Sequence, residues 1–124
     1  MRNMSFMLTP QQIRSRDKWV TRRAGWWHLQ PGDTIRAVEK AMGLRAGEKI
    51  TPLAILRVAS VRAELLRAMI DDAEYGVDEC VKEGFGDDPL LHVPANFVEF
   101  FCESHKGCSP DSVINRIEFE YIEI

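Results

Sequence analysis

The end of the chain restricts the fold most. Over residues 115–124 the sequence alternates: Ile117, Phe119 and Tyr121 face one way, Glu118 and Glu120 the other. Successive side chains of a strand point to opposite faces, so this stretch reads as a strand with one face on a core and the other toward water. The same criteria place strands at Ser5-Phe6-Met7-Leu8, at residues 34–39 after the turn Gln30-Pro31-Gly32-Asp33, and at residues 53–62. The third of these is rich in Ile, Leu and Val but alternates imperfectly, which points to a bulge.

Between the strands lie helix signals. Thr9-Pro10-Gln11-Gln12 has a capping residue, a proline at the first helical position and a glutamine where a capping box places its partner, so a short helix is expected to Asp17. Residues 18–23 follow as a turn or short extended piece. Residues 64–72 and 77–83 read as helices, the second with Val77, Cys80 and Val81 on one face and Gly84 as its stop. Residues 94–105 form an amphipathic helix with Phe97 and Phe101 four apart, ended by Gly107. Strands and helices do not alternate regularly, which excludes a doubly wound sheet and gives the α+β class.

At 124 residues, 45% of them hydrophobic and 28% charged, the chain suits one packed domain over residues 1–124. It has no internal repeat, no apolar run of membrane-spanning length and no secretion signal at its start, so a cytoplasmic location without membrane contact is expected. Charge is unevenly spread: residues 1–49 hold ten Lys/Arg against four Asp/Glu, and residues 50–124 hold six against fifteen. A basic first part suits a phosphate-bearing ligand, while the acidic remainder argues against long non-specific nucleic-acid tracks.

Signatures for phosphate-binding loops, nucleophile-elbow serines and paired metal-binding histidines are missing. His28, His92 and His105 sit in unrelated contexts and read as surface or partly buried residues. Two places stand out. In Lys18-Trp19-Val20-Thr21-Arg22-Arg23, a bend would bring the Lys18 amine near the Thr21 hydroxyl. A desolvated lysine loses its proton more easily and can act as a base. Arg22 and Arg23 are candidates to hold a phosphate or carbonyl oxygen, and Trp26 or Trp27 to stack a base. A solvated basic edge beside core tryptophans is the plainer alternative. The second place is Glu83, at a helix end where the backbone dipole disfavours a carboxylate; such local conflicts concentrate at functional sites. An ordinary exposed glutamate at a frayed end is the alternative there.

The ordered set Lys18-x-x-Thr21-x-Arg23, Pro31-Gly32-Asp33 entering a strand, Glu83-Gly84-Phe85 after a helix, and Arg116-Ile117-Glu118-Phe119 in the closing strand resembles the ASCH family, and the resemblance runs from Ser5 to Tyr121. It looks most like the ASCH proteins of bacteria and their prophages. The resemblance implies a PUA-like small mixed β-barrel with flanking helices and a cleft beside the first helix. It implies an RNA or modified-nucleoside ligand and no cofactor. Some small members are amidohydrolases that remove the acetyl group from acetylated cytidine with a lysine, a threonine and a glutamate; here those roles fall on Lys18, Thr21 and Glu83, with Glu79 and Glu74 close by in sequence. The alternatives it implies are a non-catalytic RNA or modified-base binding module and, third, a ribonuclease.

Cys80, Cys102 and Cys108 are odd in number, and the run Cys102-x-x-His105-x-x-Cys108 lacks a fourth ligand at a recognisable spacing. The thiols are therefore expected to be reduced and to bind no structural metal. Metal analysis of the purified protein should show no stoichiometric zinc; one zinc per chain would contradict this reading.

Overall fold

A computed structural model describes residues 1–123. Its strands are β1 (Arg2–Ser5), β2 (Val20–Arg23), β3 (Thr34–Val38), β4 (Pro52–Leu65) and β5 (Val113–Ile122). Its helices are α1 (Pro10–Arg14), α2 (Ala68–Asp71), α3 (Ala73–Cys80) and α4 (Pro94–Glu103). The strands make one mixed sheet in the order β1-β3-β4-β5-β2, in which only β1 and β3 run parallel. The sheet curls as a half-barrel with the helices beside it, the α+β class expected from the sequence. Among the described residues no helix is long and apolar enough to cross a membrane.

The 14-residue β4 is the spine, pairing with β3 on one side and β5 on the other. Its expected bulge appears as a register shift between Val58 and Ser60. Glu64 and Leu65, expected to open a helix, stay in the ladder opposite Ile114 and Val113, and α2 begins only at Ala68. Long-range pairing overrides local propensity there. The first strand also differs from expectation. Parallel pairing with β3 takes Arg2 to Ser5 into the sheet and buries Met4, while Met7 and Leu8 lie past the strand end and are exposed. The first helix stops at Arg14, its Thr9 side chain makes no cap bond, and Arg16 turns the chain with φ 64°. Ile124, the last residue of the expected closing strand, lies outside the described residues.

Apolar side chains form two clusters. One, on the sheet, includes Met4, Phe6, Ile13, Ile35, Leu56 and Phe119. The other, under the helices, includes Leu66, Met69, Cys80, Phe97, Phe101 and Ile114. The helix α3 does not bury the face expected of it. Val77 and Val81 are 52% and 51% exposed, whereas Gly76, Glu79 and Cys80 point inward. Gly76 is required by close approach: a Cβ there would stand 1.9 Å from the Met69 carbonyl oxygen and 2.8 Å from Pro94 Cγ.

Charge explains the rotation of α3. In the ladder Arg22 lies opposite Arg116, and Arg116 opposite Arg62, so three arginines stand abreast across β2, β5 and β4. Like charges directly opposite each other destabilise a sheet. Two inward residues of α3, Tyr75 and Glu79, answer them at a four-residue step. Glu79, 0% exposed, accepts from Arg22 Nη2 on Oε1 and from Arg116 Nη2 on Oε2 at 3.0 Å. Glu64 accepts from Arg22 at 3.0 Å and from Arg62 at 3.3 Å, and the Tyr75 hydroxyl joins the same group. Burial works against the Glu79 charge, but Arg116 and Arg22 outweigh it and hold this carboxylate down at about 2.

Two outcomes follow for stability. Gly76→Ala should cost about 1–3 kcal/mol by overpacking, read as a lower urea midpoint at unchanged slope. Glu79→Gln removes the bidentate carboxylate of Arg116 and one of the three that pair Arg22, and should cost about 3–5 kcal/mol. Because its folded carboxyl lies below the unfolded value, the stability from Glu79 is complete above about pH 4.5 and is lost as pH falls toward about 2. Denaturant melts across that range should slope more steeply for the parent chain than for the variant; parallel slopes would refute the assignment.

Candidate functional site

A pocket of about 440 Å³ opens where the two apolar clusters meet, within the roughly 300–1,000 Å³ usual for small-molecule sites. Phe6 of the sheet cluster lines one side, and Phe85, Phe97 and Phe101 of the helix cluster line the other. The segment after β1, including the exposed Met7 and Leu8 and the buried Thr9, forms the rim. The polar groups facing the pocket come from the start of β2 and from the turn after α3: Lys18, Thr21, Arg23 and Glu83.

Strand alternation sorts the polar side chains of β2. Arg22 leaves on the face that meets α3 and its side chain is fully buried in the arginine row. Thr21 and Arg23 share the opposite face, and Arg23 Nε donates to Thr21 Oγ1 at 3.1 Å. The Arg23 guanidinium lies over the Phe6 ring, 4.7 Å from its centroid. Among the described residues no carboxylate lies within ion-pairing distance of Arg23. Burial pushes its guanidinium down to about 10, opposed only by the more distant Glu83, so it stays charged at neutral pH. A desolvated cation without a protein counter-ion is a ready partner for a phosphate or a polarised carbonyl oxygen.

Lys18 is fixed from several directions. Its amide donates to Gln12, its carbonyl accepts from the Tyr121 hydroxyl, and the next amide, of Trp19, donates to the Lys82 carbonyl at 3.0 Å. After α3 the chain enters a widened turn, Val81–Phe85, in which Gly84 adopts φ 95°. A Cβ on Gly84 would meet Gln12 Cβ at 2.9 Å and Lys18 Cβ at 3.1 Å, so glycine is needed for both conformation and contact. That approach delivers Glu83 to Lys18. Lys18 Nζ donates to the Glu83 carbonyl at 2.9 Å and to its Oε1 at 2.8 Å, while Arg22 Nη1 donates to Oε2 at 3.0 Å. Burial is the largest influence on Lys18 and lowers its pKa; the attraction of Glu83 offsets this only in part. Because Arg22 Nη1 also donates to Glu83 Oε2, that carboxylate keeps a hydrogen-bonding partner besides Lys18.

Lys18, Thr21 and Glu83, singled out from the sequence, therefore line one pocket, and Arg22 and Arg23 line it too. The tryptophans are a correction. Trp26 packs against the sheet cluster with the Arg2 guanidinium 4.6 Å from its ring centroid, Trp27 is exposed, and neither lines the pocket. A φ of 63° at Trp26 turns the chain away there. Arg22, although it lines the pocket, is ion-paired with Glu64, Glu79 and Glu83. Of the alternative carboxylates, Glu79 belongs to the arginine row and Glu74 is exposed. Sequence reasoning missed the inward face of α4 and the turn after it: Phe97, Phe100 and Phe101, then Ser104 and His105, line the pocket. The His105 ring stacks on Phe101 at 4.1 Å between centroids. Their helical spacing was visible, but it reads equally as ordinary core. Among the described residues no three His, Cys, Asp or Glu side chains are grouped to hold a metal ion.

No protein-family model matches the sequence, and no curated protein matches it significantly. Solved structures do match by fold. The crystal structure of an ASCH domain from Lactobacillus crispatus JV V101 superposes with a TM-score of 0.61 at 16% identity, over 97% of this chain and 78% of that one. A protein from Enterococcus faecalis V583 assigned to the DUF984 family model superposes with a TM-score of 0.58 at 18% identity, over 91% of this chain and 66% of that one. The half-barrel of mixed strands with flanking helices thus matches the α+β fold of the ASCH domain structure.

Proposed function

We propose that this pocket receives the base of a modified nucleoside, free or in RNA, and that the chain is an amide hydrolase acting on it, with acetylated cytidine as the substrate to test. The observation that carries this is the convergence of Lys18, Thr21 and Glu83 on one phenylalanine-walled pocket. The ASCH fold supports it by analogy, and one fold hosts many functions. The base lies against Phe85, Phe97 or Phe101, and Arg23 holds a phosphate or the acyl oxygen. Thr21 Oγ attacks the acyl carbon while neutral Lys18 takes its proton. Lys18 then returns the proton to the departing amine, and water hydrolyses the threonyl ester. Both Glu83 oxygens are engaged by Lys18 and Arg22, so Glu83 orients Lys18 rather than activating water.

A non-catalytic binding module is the second reading. It is favoured by the double engagement of Lys18 with Glu83, which suits a structural ion pair as well as a base. Turnover of acetylcytidine decides between them. Lys18→Met, Thr21→Val and Glu83→Gln should each lower kcat/KM by about a hundredfold or more, as for a positioned proton-transfer group. Thr21→Val should keep the parent melting temperature, which separates chemistry from folding. Arg23→Gln should weaken ligand binding and flatten its salt dependence without unfolding the chain. Tight binding of acetylcytidine with no turnover by the parent chain would select the binding module.

A further inference from the structure

We infer that Cys102 and Cys108 form an oxidative modification site, at which hydrogen peroxide converts the two thiols into an intramolecular disulfide. The site is built by the end of α4. The helix closes at Glu103, Gly107 takes φ 78°, and the Cys108 amide donates to the His105 carbonyl at 3.0 Å. The chain thereby folds back, and the two Sγ atoms stand 3.2 Å apart. A disulfide bond is about 2.05 Å long, so the sulfurs need to close on the order of 1 Å, within reach of side-chain rotation in a glycine-containing turn. Both residues pack at the edge of the helix cluster and are partly exposed, so a small oxidant reaches them.

The histidine between them does not compete for this role. His105 Nδ1–H donates to the Phe101 carbonyl at 2.8 Å and the ring stacks flat on Phe101. The run that resembles a metal motif therefore divides: the histidine belongs to the pocket wall, and the sulfurs belong to each other. Cys80 is the internal control, because it is fully buried and desolvation pushes its thiol up to about 11. Buried thiols of that kind are inert.

The chemistry balances with one peroxide. We assign the first attack to Cys108, beside the Gly107 turn, and the resolving role to Cys102. Its thiolate takes one peroxide oxygen, the O–O bond breaks, and the departing hydroxide gains a proton and leaves as water. Cys108 now carries a sulfenic acid. The Cys102 sulfur attacks the Cys108 sulfur, its proton passes to the leaving hydroxyl, and a second water departs as the S–S bond forms. The two thiols lose two electrons, and the peroxide is reduced to two waters. A dithiol reductant reverses the bond by exchange.

The test uses the reduced full chain and stoichiometric hydrogen peroxide. Thiol titration in denaturant should fall from three thiols to one, and the intact mass should drop by two hydrogens with no dimer. Peptide mapping should join Cys102 to Cys108, and dithiothreitol should restore the starting mass. Amide exchange over residues 102–108 should slow in the oxidised form. Cys102→Ser should leave a Cys108 sulfenic acid that a 1,3-diketone probe traps. Three thiols remaining after treatment, a bond mapped to Cys80, oxygen added without hydrogen loss in the parent chain, or a disulfide-linked dimer would each overturn the inference.

Discussion

The structure depends on one buried carboxylate. Glu79 sits over a row of three arginines that the strand register places side by side, and it bonds two of them. Without it Arg116 would lose its bidentate carboxylate and Arg22 one of three, at buried positions where no pKa change relieves a guanidinium. With it, α3 is tied to β2 and β5 by directional bonds. The helix is rotated accordingly, leaving Val77 and Val81 in water so that Tyr75 and Glu79 face inward. Packing of apolar surface alone would choose the opposite rotation.

The same ionic platform reaches the pocket. Arg22 bonds Glu79 on one side and Glu83 on the other, and Glu83 grips Lys18. Lys18 and Glu83 are thus an extension of the network that secures the fold. Adjacent arginines differ because a strand alternates: Arg22 is paired with carboxylates, and among the described residues no carboxylate lies within ion-pairing distance of Arg23. Among the described residues, the pocket has an apolar wall, one guanidinium without a carboxylate partner and one lysine whose proton affinity is lowered by burial.

Much of the scaffold was legible from residues alone. The closing strand, the bulge in β4, the turn before β3 and the helix opened by Pro94 were readable because each depends on local periodicity or punctuation. Lys18, Thr21 and Glu83 were legible through the ASCH resemblance rather than through spacing. What failed was set by long-range pairing. The first strand was misplaced because Met7 and Leu8 look like core but lie beyond the reach of β3. The inward face of α3 was misread because an apolar stripe outweighs Tyr75 and Glu79 four apart until an arginine row is known to lie opposite. That row joins residues 22, 62 and 116, and no local window contains all three. Trp26 and Trp27 misled for a related reason, since one left-handed residue redirects the chain.

Strand order has a consequence for how such a chain assembles. The first and second strands occupy opposite edges of the sheet, although they are close in sequence. β2, which carries Thr21 and Arg23, pairs only with β5, more than ninety residues later. The polar half of the pocket therefore forms after the last strand is laid down, and loop-closure entropy makes that a late step. During synthesis the nascent chain can set β1, β3 and β4 while Lys18 to Arg23 still wait for their neighbour. The polar side of the pocket is then built only when β5 joins β2, so its formation reports the meeting of two segments more than ninety residues apart.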